Sequence, residues 1–272
     1  MKKYAAGLCL VLLTAGVVAH AQARFARGQD VSPTYDGWER NGDGSYTLHF
    51  GYFNRNSEEE FDVPIGPDNH FDSGNGDQGQ PTHFYAGRKW WVFNVVVPKD
   101  WPKDKRVVWT LTTHGITNQA KGWLQTEWEM DKGVIFQNSN RDPFLMFIGG
   151  EDTDVDIDNL PPSITGSSAQ TVKVGQPLAL SVTATDDGLP KPLPDPTGRR
   201  PQGLRVRWIM YRAPGLVHFD PDIMPNRIYG KPVTFETKAT FSRPGTYRLR
   251  AIASDGQLFA TYDVDVTVLP AE

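Results

Sequence analysis

At 272 residues and a formal net charge of −4, the chain is long enough for two domains and a poor candidate for general nucleic-acid binding. Its one cysteine, Cys9, lies in the extreme N-terminal segment, so disulfides and cysteine metal sites are excluded from the rest. Beyond that segment no apolar run reaches the roughly 18 residues that a membrane-spanning helix needs, so the mature chain is expected to have no transmembrane segment.

Residues 1–23 read as a secretory signal peptide. Lys2 and Lys3 precede an apolar stretch from Ala5 to Ala19, and Ala19-His20-Ala21 and Ala21-Gln22-Ala23 are small-x-small cleavage sites. Export to the periplasm or beyond is therefore expected.

Residues 24–150 follow as a Trp-rich module with β patterning. Tyr46, Leu48, Phe50 and Tyr52 alternate with Thr47, His49, Gly51 and Phe53, behind the turn sequence Asn41 to Ser45. Phe61, Val63 and Ile65 form a second row. Trp91, Phe93, Val95 and Val97 form a third, and Val107, Trp109 and Leu111 a fourth. The stretch from Thr113 to Leu124 reads as a turn into another strand, and Phe144 to Ile148 as an apolar strand. Trp91 and Trp109 occupy core positions, and Trp90 should face outward. Exposed tryptophan suits interfaces or sugar stacking, which makes Trp38, Trp90, Trp101, Trp123 and Trp128 interaction candidates. The polar loop from Gly66 to Lys89 is long enough to be functional, yet no metal-ligand spacing occurs in it. A metal among His49, His83 and His114 is conceivable. The blocks NGDGSY, GYFNRN, PIGPDN and DQGQPTHF are similar to those of uncharacterised secreted bacterial proteins, a resemblance that implies no activity.

Residues 151–162 form an acidic seam, with Glu151, Asp152, Asp154, Asp156 and Asp158 ahead of Pro161-Pro162. The proline pair ends one element and stiffens the start of the next.

Residues 163–272 carry period-two rows separated by turns: Leu178 to Thr185, Leu204 to Tyr211, Val233 to Phe241, Tyr247 to Ala253 and Tyr262 to Val268. A tryptophan, Trp208, sits on the third strand, and Arg243 to Tyr247 leads into a later one. These landmarks resemble the immunoglobulin-like group, in particular PKD-like and cadherin-like domains, with Tyr247 at the corner position. The fold class expected for the whole chain is all-β, two consecutive immunoglobulin-like β-sandwiches after the signal peptide.

In that topology Asp156, Asp158, Asp186, Asp187 and Asp255 share one pole of the second sandwich. Carboxylates so placed repel unless a proton or a hard cation intervenes, so calcium is the expected cofactor, if any. Cadherin-like repeats stiffen their junctions in a similar way. A Pro-rich loop from Gly188 to Gly203, with Arg199 and Arg200, leaves from the same pole. Arg205 and Arg207 point outward as surplus positive charge, whereas Arg248 and Arg250 can pair with Asp263 and Asp265 across the last two strands.

No thiol nucleophile, GxSxG motif or phosphate-binding glycine loop is present, so an enzyme is not expected. The reading that results is a structural or interaction protein docking on a larger protein assembly of the cell envelope. The alternative is a carbohydrate-binding or calcium-stiffened adhesive module.

Overall fold

The computed structural model describes residues 25–130, 158–189, 191, 203–225 and 230–271. The signal peptide, the strand expected from Phe144 to Ile148, most of the seam with Asp156, and Arg199 and Arg200 lie outside the described residues. Those that are described fold into two β-sandwiches, with one short 3-10 turn at Thr126–Trp128. No helix among them is long and apolar enough to cross a membrane.

The first sandwich uses β1 (Val31–Arg40), β2 (Tyr46–Asn54), β3 (Phe61–Asp62), β4 (Asn69–Phe71), β5 (His83–Phe84), β6 (Gly87–Val97), β7 (Val107–Thr113) and β8 (Ile116–Gly122). One sheet has the order β1-β2-β6 and a second the order β4-β7-β8, while β3 and β5 pair separately. Thr113 pairs with Ile116, so β7 turns into β8 through His114 and Gly115 alone. Both have φ > 0, as a tight primed hairpin turn requires. The core is aromatic. Trp109 is fully buried, meets Phe93 edge-on at 5.0 Å, and stacks on Phe71 at 6.1 Å. Its indole N–H donates to Asn69 Oδ1 at 2.9 Å. The Asn69 amide in turn donates to the Val63 and Pro81 carbonyls, so this buried polar group is satisfied and fastens the long polar loop from inside.

The second sandwich uses β9 (Ser163–Gly166), β10 (Gln170–Lys173), β11 (Leu178–Thr185), β12 (Arg205–Arg212), β13 (Val217–Asp220), β14 (Ile223–Pro225), β15 (Val233–Phe241), β16 (Gly245–Ser254) and β17 (Phe259–Leu269). Its sheets run β13-β15-β11-β9 and β10-β17-β16-β12-β14. Strand β10 crosses to the second sheet and pairs in parallel with β17, the only parallel ladder among the described strands. This is the immunoglobulin-like arrangement. Trp208 is buried between the sheets, and the Tyr247 hydroxyl donates to the Arg243 carbonyl at 2.8 Å, forming the corner. Leu180, Val182, Leu204, Phe241 and Val266 are each at most 1% exposed. Side chains of this size contribute about 1.5–3 kcal/mol apiece when buried.

Candidate functional site: a cleft between the sandwiches

Most of the outer face of β12 is covered. Ile209 and Tyr211, with Ile252 from β16, belong to the same buried cluster as the core of the first sandwich. Around them runs a clamp of hydrogen bonds to the loop before β6. Thr82 N–H donates to the Tyr211 carbonyl (3.1 Å), Met210 N–H to the Tyr85 hydroxyl (2.8 Å) and the Tyr211 hydroxyl to the Gly79 carbonyl. Arg212 donates to Gln80 O (2.9 Å) and to both oxygens of Asp77 (2.9 and 2.7 Å). The polar loop that looked like a ligand site is thus largely consumed in joining the two sandwiches. The expectation for β12 is corrected as well: Arg205 is buried, and Arg207 is half-buried with Asp222 at 3.9 Å, so neither is exposed surplus charge.

Beside the clamp, a cavity of about 420 Å³ opens between the outer face of β1-β2-β6 and the faces of β16 and β17. Its first wall is set by an irregularity centred on Gly51. On one side, Tyr35 pairs with Phe50 and Gly37 with His49, so Asp36 is an extra residue in β1. On the other, Phe50 pairs with Phe93 and Tyr52 with Lys89, so Trp90, Trp91 and Val92 together oppose Gly51. Two bulges therefore flank one glycine. A Cβ on Gly51 would stand 2.2 Å from the Lys89 carbonyl oxygen and 2.4 Å from Asp36 Oδ2, so only glycine lets the bulges meet.

Asp36 locks the assembly. One oxygen accepts from Arg88 and from the Thr34 hydroxyl, and the other accepts from Trp91 N–H at 2.9 Å. Burial pushes the Asp36 pKa up, and the Arg88 guanidinium pulls against it. Arg88 also lies 3.7 Å above the Trp90 ring. The outcome is a correction to the sequence reading: Trp91 is not a core residue. The bulge breaks the alternation, and Trp91 sits half-buried on the cavity wall with φ = 50°. That backbone region is unfavourable for a bulky side chain.

The opposite wall carries Arg248, Arg250, Phe259, Thr261 and Asp263. Arg250 donates to both Asp263 oxygens (2.7 and 2.9 Å) and to the Val92 carbonyl (2.8 Å), with its guanidinium 3.5 Å from the Tyr211 ring centroid. Arg248 donates to both Asp265 oxygens at 2.8 and 3.0 Å. On the first wall, Glu39 and His49 share a 3.0 Å hydrogen bond, which holds the Glu39 carboxyl below its ordinary value.

The other predicted residues are dispersed. Trp38 is buried, its N–H donating to the Gln125 carbonyl at 2.7 Å, and so lies in the interior rather than on a surface. Trp90 sits beside the cleft under Arg88. Trp101 carries Lys105 over its ring at 4.0 Å. Trp123 and Trp128 both stack on the Tyr35 ring, at 6.3 and 5.5 Å, and Trp128 is 44% exposed. His49, His83 and His114 are each bonded to different carboxylates, Glu39, Asp62 with Glu60, and Glu59 respectively.

At the acidic pole Asp186 and Asp255 are both buried, and the Asp186 charge adds to the rise of the Asp255 pKa that burial causes. Asn159 donates to Asp255 Oδ2 and to Gln257 at 3.1 Å each. Asp187 is occupied by the backbone N–H groups of Leu160 and Leu189, and Asp158 is exposed. Among the described residues, no three acidic, histidine or cysteine side chains gather closely enough to hold a metal ion.

Asp36, Gly51 and the Asp77–Arg212 pair were missed in the sequence. The one available signal was Gly51 itself, an isolated glycine inside a strand pattern, which points to a bulge or a close backbone approach.

No family model and no curated protein matches the chain. Among solved structures it is similar to domains 4 and 5 of the S-layer protein SbsC, at 10% identity over 61% of this chain and 65% of that one, with a TM-score of 0.27. It is similar to the PKD domain of an M14-like peptidase from a Thermoplasmatales archaeon, at 20% identity over 42% of this chain and 96% of that one (TM-score 0.23). It is also similar to the SrpA adhesin of Streptococcus sanguinis, at 16% identity over 43% and 60% (TM-score 0.28). The chain spans less than two thirds of the S-layer and adhesin structures. The fold assignment rests on strand order, the parallel β10–β17 ladder and the tyrosine corner.

Proposed function

We propose that the chain is an exported, non-catalytic structural protein whose two sandwiches act as one rigid unit and dock on a larger protein assembly of the cell envelope. The observation that carries this reading is the clamp. A buried apolar contact, a two-pronged Arg212–Asp77 pair, one backbone–backbone hydrogen bond and several between side chains and backbone join the sandwiches at one angle. Such a junction suits a spacer that must hold a fixed geometry against a partner. The Tyr35–Trp123–Trp128 stack, with the Arg106 guanidinium 5.1 Å from the Trp123 ring, supplies the aromatic and arginine chemistry that anchors protein interfaces. Cross-linking in intact envelopes tests it. The expected result is a defined high-mass protein complex that contains the chain, weakened by Trp128→Ala; recovery as a free monomer under the same conditions overturns docking.

A further inference from the structure

The cleft has a chemistry of its own, independent of docking. Its guanidinium charges are already met, Arg250 by Asp263 and Arg248 by Asp265, so it is not an anion site. What stays open is uncharged or acceptor chemistry. The Asn94 amide and the Thr261 hydroxyl are exposed on the cleft and bond to no described residue. The carboxylates of Glu39 and Asp263 are 34% and 31% exposed and keep free lone pairs. The same cleft is lined by two aromatic residues, Trp91 from β6 and Phe259 from β17.

Trp91 is held there at a cost. Its backbone is left-handed, and its indole N–H is buried with no partner among the described residues, which leaves the desolvation of that group uncompensated. Two bulges, a glycine that admits no Cβ, and a buried aspartate on the Trp91 amide keep it in place. A tryptophan needed only for packing would sit in the Phe93 row without strain. Bulges that re-aim a side chain, and residues fixed in rare backbone regions, collect at binding sites.

We infer that the cleft is a saccharide-binding site, with the Trp91 ring as the stacking platform. A sugar presents an apolar C–H face to an aromatic ring and hydroxyls that both donate and accept at its rim. Ring walls bordered by Asn94, Thr261, Glu39 and Asp263 offer the complement of both. The cavity volume of about 420 Å³ suits one or two sugar residues.

Saturation-transfer NMR on the mature chain, with cellobiose, maltotriose and N,N′-diacetylchitobiose each at about 10 mM, tests the inference at the weak end of the affinity scale. At least one sugar should bind with quenching of tryptophan fluorescence. Trp91→Ala should weaken it at least about tenfold, about 1.4 kcal/mol. Asn94→Ala and Thr261→Val, both at exposed positions, should weaken it without loss of fold, and they keep the test open if Trp91→Ala does not fold. Trp128→Ala should leave it unchanged. No transfer to any of the three sugars overturns the inference. So does binding that survives Asn94→Ala and Thr261→Val but is lost in Trp128→Ala, which would place the sugar on the exposed stack instead.

Discussion

Asp36 and Asp255 are both nearly fully buried acids in irregular backbone, and they are supported in opposite ways. Asp36 has a guanidinium, a hydroxyl and a backbone N–H as donors. Asp255 has two backbone N–H groups, Gln257 and Leu258, and one amide, Asn159, but faces a second carboxylate, Asp186. Among the described residues neither Asp186 nor Asp255 is within ion-pair distance of a lysine, arginine or histidine. A buried acid with a cation organises backbone around its charge. A buried acid beside another acid must hold a proton or find a cation. The first builds a site; the second responds to solution conditions.

The comparison breaks at once if Asp36 is dispensable. Asp36→Ala leaves the Arg88 guanidinium without its main partner and frees the Trp91 amide. The expected loss is about 3–5 kcal/mol, as for one member of a buried pair, read by urea denaturation. Wild-type stability in this variant would mean that the bulges hold themselves. Gly51→Ala attacks the same point by steric means, since the clash is with a backbone carbonyl that cannot rotate away. A loss of about 3 kcal/mol is expected, with altered tryptophan fluorescence.

A smaller effect separates the cleft from the clamp. Arg212→Ala removes three hydrogen bonds from the junction. Because Asp77 is 34% exposed, solvent recovers part of the loss, and about 2 kcal/mol is expected. Calorimetry should then resolve two unfolding transitions instead of one. A single sharp transition would show that apolar contact alone couples the sandwiches.

Much of the fold was legible because it depends on local alternation. The rows through Leu180 and Val182, Trp208 and Met210, and Leu249 and Ala251 all point inward, and the Arg248–Asp265 and Arg250–Asp263 pairs follow from register. The site was far less legible. Trp91 keeps the right residue type for a core strand, but a bulge shifts its phase, and nothing within β6 announces the bulge. Its causes, Asp36 and Gly51, lie on other strands. The Gly66–Lys89 loop reads as long enough to be functional, but the partners it joins stand some 130 residues away, as with Asp77 and Arg212. Periodicity carries no information about contacts across that separation.

The substitution expected to cost the least stability is also the most discriminating. Burial, opposed by its hydrogen bonds and reinforced by the Asp186 charge, raises the Asp255 pKa from 3.8 to about 7. Between those values the folded chain holds a proton that the unfolded chain has released. Stability should therefore fall as pH rises through that window, and the loss should be complete above about pH 7. Asp255→Asn removes the titration while keeping an oxygen for the backbone N–H groups of Gln257 and Leu258. The variant should therefore have a flatter melting profile over the same pH range, and at pH 7.5 it should be no less stable than the parent. Asp36→Asn, by contrast, should be destabilised at every pH in that range, because the Arg88 charge loses its counterpart. If millimolar calcium raises the parent's melting temperature at pH 7.5 and Asp255→Asn abolishes the rise, the occupant of the pole is a cation, and the contrast becomes one between two kinds of positive charge.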